Sequence, residues 1–248
     1  MTTPRVAIVT GAGSGIGRAI ANRLAADGHT VAVLDLRAEP AEEVTAEIRA
    51  AGYQAIALGG VDASDREQIM AAVQHVRETV GPALVLVNNA GISQNQKFMN
   101  ISPEKWDKMI AVNLTGPFNI VKAALPFLRQ ADSATIVNIA SVSGMMPMAG
   151  TVGYSASKGG AIMFGKALAF DLGPTIRVNT ICPGVIVTEM TRYLWESAEH
   201  TERAKARVAL QRLGQVEDVA RAALFFSTED SGFTTGTELP VDGGFSWR

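Results

Sequence analysis

Residues 6–17 read VAIVTGAGSGIG, an apolar run that passes directly into a glycine-rich turn. The first four residues predict a short buried strand, and apolar residues repeat at helical spacing from Ile16 to Leu24. Glycine permits a tight turn in which the backbone approaches an anion, and the amides that begin a helix favour negative charge. The stretch therefore predicts a strand, a phosphate-binding turn and a helix. The alternative is a glycine turn that only caps a helix.

The alternation of apolar runs and helical segments continues along the chain. Further largely apolar runs lie at residues 31–34, 54–61, 84–87, 135–139, 177–181 and 237–241. Strands of this kind predict a parallel sheet that is covered on both faces. The fold class is therefore α/β, a doubly wound Rossmann-type sheet of about seven parallel strands with helices on both faces. No linker divides the chain, so we predict a single domain over residues 1–248, with a substrate-loop insertion at about 189–212.

Composition narrows the class of protein. The chain has 248 residues, a formal net charge of −2 and one cysteine, Cys182. This charge gives no reason to expect nucleic acid or an anionic membrane as a partner, and one cysteine fits a reduced compartment. The residues from Met1 lack a signal-peptide core, and no apolar run approaches the ~20 residues of a membrane helix. The histidines are scattered without metal-ligand spacing, so we expect a cytoplasmic protein with no metal site.

Asp35 ends the second predicted strand, and ligands of a doubly wound sheet bind at the carboxyl ends of strands. Its carboxylate can accept hydrogen bonds from both ribose hydroxyls in the adenosine half of NAD. It would repel the 2′-phosphate of NADP, since two unit charges about 4 Å apart cost about 4 kcal/mol at a dielectric of ~20. Arg37 is the counter-argument, because a nearby arginine can serve NADP. Leu36 directly follows Asp35 and Ser14 is not basic, so the sequence favours NAD.

Tyr154, Lys158 and Ser141 carry groups that can manage a proton. Hydride transfer to a ketone leaves an alkoxide, which needs a proton donor within about 3 Å. Free tyrosine has a pKa of about 10, too high for a good base at neutral pH. Lys158 lies one helical turn after Tyr154, and its charge, with that of oxidised nicotinamide, should lower the tyrosine pKa. Ser141 follows a predicted strand and can donate to the substrate oxygen, with Ser143 as a nearby rival.

These residues belong to a series of motifs that resembles the short-chain dehydrogenases/reductases. In chain order the motifs are residues 10–17, Asn88-Asn89-Ala90-Gly91, Asn113, Ser141, Tyr154-Ser-Ala-Ser-Lys158, Pro183-Gly184 and Pro240-Val241-Asp242-Gly243-Gly244. The resemblance covers essentially the whole chain and extends to 3-oxoacyl-carrier-protein reductases and secondary-alcohol dehydrogenases. It implies NAD(P)-dependent chemistry on CH–OH groups.

The resemblance also implies residue roles. Catalysis would use Asn113, Ser141, Tyr154 and Lys158, with Tyr154 as general acid/base and Lys158 also bonded to the nicotinamide ribose. Asn113, inside a helix predicted at 106–129, would relay a proton through water, or would be a buried amide satisfied by backbone. The cofactor would contact Gly11, Ser14, Gly15, Ile16, Gly17, Asp35, Asp62, Ala63, Asn89, Ala90, Gly91, Tyr154, Lys158, Pro183, Gly184, Ile186 and Thr188. Asp62 could instead cap the helix predicted at 65–80.

We therefore expect hydride transfer between NAD(H) and a secondary alcohol or ketone. The rivals are an NADPH-dependent 3-oxoacyl-thioester reductase and a nucleotide-binding oligomer without catalysis, and the intact Tyr154 argues against the second. The loops at 93–99, 143–152 and 189–212 supply methionines and aromatic residues, with Gln94 or Asn95 as polar handles. They predict a mostly apolar pocket that prefers a medium-sized apolar substrate to a sugar polyol.

Two predicted helices, those that carry Asn113 and Tyr154, are apolar on more than one face. Beyond the side that faces the sheet they offer Phe118, Val121, Leu125, Ile162, Phe164 and Leu168. A helix of this kind is usually covered by another element. The resemblance implies that the cover is another subunit of a homotetramer.

Overall fold

A computed structural model gives the architecture of residues 5–131 and 133–247. Residues 1–4, Asp132 and Arg248 lie outside the described residues. The predicted start of the chain and the two ends of the predicted domain lie there too. All the motifs named above fall within the described ranges.

The strands form one sheet in which every neighbouring pair is parallel. They are β1 (Val6–Thr10), β2 (Thr30–Asp35), β3 (Ala55–Gly59), β4 (Ala83–Asn88), β5 (Ala134–Ile139), β6 (Ile176–Pro183) and β7 (Glu238–Val241). The seven strands lie in the order β3-β2-β1-β4-β5-β6-β7. The predicted fold class is confirmed. Strand order reverses between β1 and β4, which leaves a crevice at the carboxyl ends of these two strands.

Helices cover both faces of the sheet. They are α1 (Gly15–Ala26), α2 (Ala38–Ala50), α3 (Arg66–Thr79), α4 (Pro103–Ile110), α5 (Gly116–Leu128), α6 (Val152–Leu172), α7 (Ala198–Lys205) and α8 (Val216–Ser227). The predicted insertion at 189–212 contains a short 3₁₀ helix, Glu189–Leu194, followed by α7. In the described part of the chain, no helix combines the length and the apolar character that crossing a membrane requires.

Each central strand buries side chains on both of its faces. In β1, Ala7 and Val9 pack with residues of α1, α2 and α8, whereas Val6 and Ile8 pack with residues of α3, α5 and α6. Full burial of a valine or isoleucine side chain is worth about 1.5–3 kcal/mol. Because both faces are buried, the strand sequences are apolar throughout rather than alternating.

Two local predictions need correction. Asp62 does not cap α3, because β3 ends early and Asp62 closes a turn in which its Oδ1 accepts from the Ser64 amide at 2.8 Å. Asp65 caps the helix instead, with Oδ1 accepting from the Glu67 amide at 2.9 Å. The helix predicted at 106–129 is interrupted, since a π-helical turn at Ala111–Thr115 joins α4 to α5. Such turns recur at functional sites, and Asn113 lies at the centre of this one.

Candidate active site

The carboxyl ends of the strands border a cleft with a volume of about 430 Å³. Among the residues that line it are Gly11, Ser14, Gly15, Ile16, Asp35, Asp62, Ala63, Asn89, Ala90, Gly91, Ser141, Tyr154, Lys158, Pro183, Gly184, Ile186 and Thr188. The structure thus brings together every predicted site residue except Gly17 and Asn113. Residues that are far apart in sequence meet here because parallel strands deliver them to the same edge of the sheet.

Glycine is required in the turn after β1. Gly11 and Gly15 have positive φ angles of +61° and +54°. A Cβ on Gly11 would lie 2.9 Å from Ala90 Cα, so a side chain there would push the turn away from β4. Gly17 has a different function: a Cβ there would collide with the Gly11 carbonyl oxygen and the Asn89 amide. It lets α1 approach the turn and does not itself reach the cleft.

Asn89 fastens the glycine turn to the end of β4. Its Nδ2 donates to the carbonyl oxygens of Thr10 at 2.9 Å and Gly11 at 3.1 Å. In return, Thr10 Oγ1 accepts from the backbone amides of Asn89 at 2.9 Å and Ala90 at 3.0 Å. These bonds make the wall of the cleft rigid before any ligand arrives.

Asp35 is buried at the end of β2 with both carboxylate oxygens held by backbone. Oδ2 accepts from the Gly13 amide at 2.9 Å, and Oδ1 accepts from the Arg37 amide at 3.0 Å. The Arg37 side chain is largely exposed, with Nε 3.9 Å from Asp35 Oδ1 and Nη2 3.4 Å from Ser14 Oγ. The carboxylate is therefore fixed inside the cleft, while the guanidinium lies at its rim.

Tyr154 and Ser141 meet at the opposite end of the cleft. Tyr154 lies in the first turn of α6, and Ser141 directly follows β5 and Ala140. Burial raises the pKa of Tyr154 above its usual range, and a hydrogen bond with the Ser141 side chain offsets part of this rise. The rival Ser143 turns elsewhere, because its Oγ donates to Met148 Sδ at 3.2 Å.

Lys158 is buried one turn further along α6. Its Nζ donates to the Ile139 carbonyl oxygen at 2.9 Å and lies 5.9 Å from the centre of the Tyr154 ring. Burial lowers the pKa of Lys158 to about 8. The sequence predicts a tyrosine pKa below its usual range, but among the groups of this chain burial is the largest effect and the pKa of Tyr154 lies above that range. Burial disfavours the charged form of both, and so raises the tyrosine pKa while it lowers the lysine pKa.

Asn113 lies behind the cleft and is satisfied by its neighbours. Its Oδ1 accepts from the Ile92 amide at 2.8 Å, and its Nδ2 donates to the Ile92 carbonyl at 2.9 Å and to Ser157 Oγ at 3.0 Å. A Cβ placed on Gly91 would lie 3.2 Å from Asn113 Oδ1 and 3.3 Å from Lys158 Nζ. Asn113 and Lys158 therefore face a common point beside Gly91. The bonds to Ile92 also show that backbone groups satisfy the Asn113 amide, as the alternative in the sequence analysis expects.

Ser157 and Ile92 belong to this arrangement but were not predicted. Ser157 Oγ donates to the Tyr154 carbonyl at 2.8 Å while it accepts from Asn113, so it links the two residues. Its spacing of three residues from Tyr154 on α6 is the signal that could have found it. Ile92 contributes backbone atoms, which no side-chain pattern reports.

The described residues hold no group of three or more histidine, cysteine, aspartate or glutamate side chains suited to binding a metal ion. Cys182 is fully buried in β6, and burial raises the pKa of its thiol to about 12. The thiolate is the reactive form of cysteine, so Cys182 acts as a small packing residue.

The reversed strand order, the glycine turn and the buried acid at the end of β2 define a dinucleotide-binding α/β protein. Comparison with known proteins identifies the family. Residues 5–199 match the family model described as short chain dehydrogenase. The chain belongs to this family, and it is an NAD(P)-dependent oxidoreductase that acts on CH–OH groups.

Similar proteins within the family differ in substrate. The chain is 38% identical to 2-(R)-hydroxypropyl-CoM dehydrogenase of Xanthobacter autotrophicus, over 98% of each chain. It is also 38% identical to the 3-oxoacyl-[acyl-carrier-protein] reductase FabG of Thermotoga maritima, over 97% of each. A solved gluconate 5-dehydrogenase from Burkholderia cenocepacia J2315, in complex with NADP and tartrate, superposes with a TM-score of 0.93. It is 31% identical, with 98% of this chain and 96% of that chain covered.

Proposed function

We propose that this protein transfers a hydride between NAD(H) and a secondary alcohol or ketone, with Tyr154 as the general acid/base. The observation that carries the proposal is the meeting of three groups at one end of the cleft. Ser141, Tyr154 and Lys158 line the cleft together, and the Lys158 Nζ lies 5.9 Å from the Tyr154 ring centre. Two hydroxyls beside a buried cation can stabilise a substrate oxygen while its charge changes during hydride transfer.

The residues of the cleft fit a nicotinamide dinucleotide. The glycine turn offers backbone amides at the start of α1 for the pyrophosphate, since Ser14, Gly15 and Ile16 line this part of the cleft. Asp35 would hold the adenosine ribose, and Asp62 with Ala63 the adenine edge. The nicotinamide end would be held by Asn89, Ala90, Gly91, Lys158, Pro183, Gly184, Ile186 and Thr188. When bound, the nicotinamide accepts or supplies the hydride.

The residues at the reacting end would divide the proton chemistry. Ser141 would donate to the substrate oxygen and orient it towards the Tyr154 hydroxyl. During oxidation Tyr154 would accept the hydroxyl proton, and during reduction it would return one. The Lys158 cation would favour the tyrosinate form against the opposing effect of burial. Asn113, which faces the same point as Lys158, would pass the proton onward through water.

We propose NAD as the preferred cofactor. Asp35 keeps a carboxylate inside the cleft at the end of β2, where it would face and repel the 2′-phosphate of NADP. Arg37 opposes this preference, but its side chain is 63% exposed and its charge is therefore screened by solvent. The second candidate is an NADPH-dependent 3-oxoacyl-thioester reductase. It is supported by the Arg37 contact with Ser14 at the rim, at 3.4 Å, and by the similarity to FabG.

The substrate end of the cleft is partly apolar. Ile92, Val112 and Met190 line it, whereas Met146 and Met148 pack against the small core that contains Cys182. Only some of the predicted pocket methionines are therefore free to meet a ligand. We propose a medium-sized, largely apolar secondary alcohol or ketone, because unpaired polyol hydroxyls in such a site cost about 1–3 kcal/mol each.

A substrate panel tests the proposed function. Secondary alcohols, sugar alcohols and 3-hydroxyacyl thioesters would each be offered with NAD and with NADP, and reduced cofactor measured by absorbance. The expected result is oxidation of an apolar secondary alcohol with NAD as the better cofactor. Turnover of thioesters alone, with NADPH preferred in the reverse direction, would establish the second candidate. A sugar alcohol tenfold better than every apolar alcohol would contradict the proposed substrate class.

The proposal includes a homotetramer in the cytoplasm, with no nucleic acid partner. The predicted apolar positions Val121 and Ile162 are buried within the subunit, so they do not support an interface. Phe118 is exposed, and α6 adds Met163 and Phe170, which is 92% exposed. The exposure of such a large apolar side chain in the single subunit supports a surface that another subunit covers. Light scattering should give about four times the subunit mass of 26.2 kDa, and a monomer would contradict the proposal.

A further inference from the structure

Two segments approach each other at the substrate end of the cleft. One is the loop at 92–97 that follows β4, and the other is the 3₁₀ helix Glu189–Leu194. Ile92 from the first segment and Met190 from the second both line the cleft. Asn95 Nδ2 donates to Tyr193 Oη at 2.5 Å, which joins the two segments by their side chains.

The Asn95 bond uses the oxygen of the Tyr193 hydroxyl and leaves its proton without a protein partner. Among the described residues, no acceptor for that proton lies within hydrogen-bond distance, and the Tyr193 side chain is 49% exposed. A hydroxyl that accepts one hydrogen bond becomes a stronger donor of the next. Tyr193 follows Met190 by three residues in the 3₁₀ helix, so the two side chains share a face, and Met190 lines the cleft. A polarised donor is therefore available at the edge of the cleft that Met190 lines.

We propose that Tyr193 is a specificity-determining residue that donates a hydrogen bond to a second oxygen of the substrate, and that Asn95 is the positioning residue that orients it. The inference rests on the proposed function, because the first oxygen is the one that Tyr154 serves. It defines the substrate class more narrowly. The substrate is a mainly apolar secondary alcohol or ketone with one further oxygen function close to the reacting carbon, such as a diol or a hydroxyketone.

A clamp that only holds the two segments together is the competing explanation. Loss of a clamp would loosen the cleft for every substrate, whatever groups the substrate carries. Loss of a donor to one substrate oxygen would affect only substrates that have this oxygen. The two explanations therefore separate when one variant is measured on matched pairs of alcohols.

The first experiment compares kcat/KM for cyclohexanol with 1,2-cyclohexanediol and for 2-butanol with 2,3-butanediol. Tyr193→Phe should lower the value about fivefold for diols, as expected for one hydrogen bond, and leave mono-alcohols within about twofold. Asn95→Ala should produce a smaller loss with the same selectivity. The matched control is Tyr53→Phe, which removes the same hydroxyl from a 40% exposed tyrosine at the amino end of β3. Equal losses for both members of a pair, or no loss for diols, would overturn the inference.

The second experiment measures binding without turnover. Calorimetry with NAD present would compare Tyr154→Phe with Tyr154→Phe/Tyr193→Phe, and the first should bind the diols about fivefold more tightly. If the wild type oxidises no alcohol but this difference in binding persists, the proposed function fails and the inference stands. If the two variants bind the diols equally, or neither binds them, the inference is overturned.

Discussion

The two ends of the cleft are built by different parts of the polypeptide. At the glycine-turn end, backbone groups and glycines define the shape of the cleft. Two backbone amides hold Asp35, and Gly11 lies against Ala90. At the substrate end, side chains on connecting segments define it, as in the hydrogen bond from Asn95 to Tyr193. The first end is fixed by strands of a packed sheet, whereas the second depends on exposed residues of loops.

This difference indicates where a substitution would disturb the fold of this chain and where it would not. Backbone contacts tolerate few substitutions, because a Cβ at Gly11 or Gly17 collides with neighbouring main chain. Exposed side chains such as Met190 and Tyr193 can change without disturbing the sheet. The similar proteins carry different substrate names while they match this chain over 97% and 98% of its length.

The largest expected effect is a loss of turnover, caused by a change at the substrate end of the cleft alone. Tyr154→Phe removes one hydroxyl and no ring, so turnover with the best alcohol of the panel should fall by ~10² or more. Cofactor affinity, measured by fluorescence titration, should remain because the glycine turn and Asp35 are untouched. Tyr53→Phe is the control for loss of a tyrosine hydroxyl. A variant that keeps more than about a tenth of wild-type turnover would show that another group transfers the proton.

Burial of the charged Lys158 at the substrate end of the cleft lowers the stability of the folded protein. Burial lowers the pKa of Lys158 from 10.5 to about 8, which corresponds to about 3 kcal/mol of opposition to the charged form. Below about pH 8 the lysine is charged in the folded and the unfolded protein, so folding bears the full burial cost. Between about pH 8 and 10.5 the folded protein releases its proton first, and the cost disappears as pH rises.

Lys158→Met should therefore be more stable than the wild type at pH 7 but less active. We expect a gain of about 2 kcal/mol in the free energy of unfolding, since the lost bond to the Ile139 carbonyl offsets about 1 kcal/mol. Urea denaturation should show the gain shrinking towards pH 10.5, while turnover and cofactor affinity both fall. The control Lys166→Met removes a partly exposed lysine paired with Glu238 at 2.8 Å and should change stability by less than about 1 kcal/mol. A destabilised Lys158→Met at pH 7 would contradict the burial argument.

The contrast between the two ends of the cleft also explains how much of the fold and the site the sequence predicts. Strand positions, the parallel sheet and the meeting of Ser141, Tyr154 and Lys158 follow from apolar runs and motif spacing, because backbone pairing places them. The π turn around Asn113 and the cap at Asp65 do not follow, since each depends on competing local hydrogen bonds. The packing role of Gly17 does not follow either, since its neighbours are visible only once α1 is packed against the turn.

Burial reverses the one electrostatic argument made from spacing. A lysine one turn after Tyr154 predicts a lowered tyrosine pKa if both groups are solvated, but Lys158 is buried and Tyr154 is partly buried in the wall of the cleft. The sequence reports the distance between two groups on a helix and not the dielectric around them. The sequence predicts a mostly apolar substrate end with Gln94 or Asn95 as a polar handle, yet no pattern links Asn95 to Tyr193, which lies on a different segment.

Removal of a single charge tests the glycine-turn end without disrupting it. Asp35→Asn keeps one side-chain oxygen to accept from the Gly13 or Arg37 amide, but removes the charge that would repel a 2′-phosphate. The ratio of kcat/KM for NAD to that for NADP should fall about tenfold, or about 1.4 kcal/mol, because Arg37 at the rim then acts unopposed. The control Asp62→Asn removes a carboxylate from the same cleft and should leave the ratio within about twofold, since its charge would lie by the adenine edge rather than the 2′-position. Two results would contradict this prediction: an unchanged ratio in Asp35→Asn, or a wild type that already prefers NADP. Either would show that Arg37 and Ser14 determine cofactor choice. The thioester-reductase candidate would then take precedence.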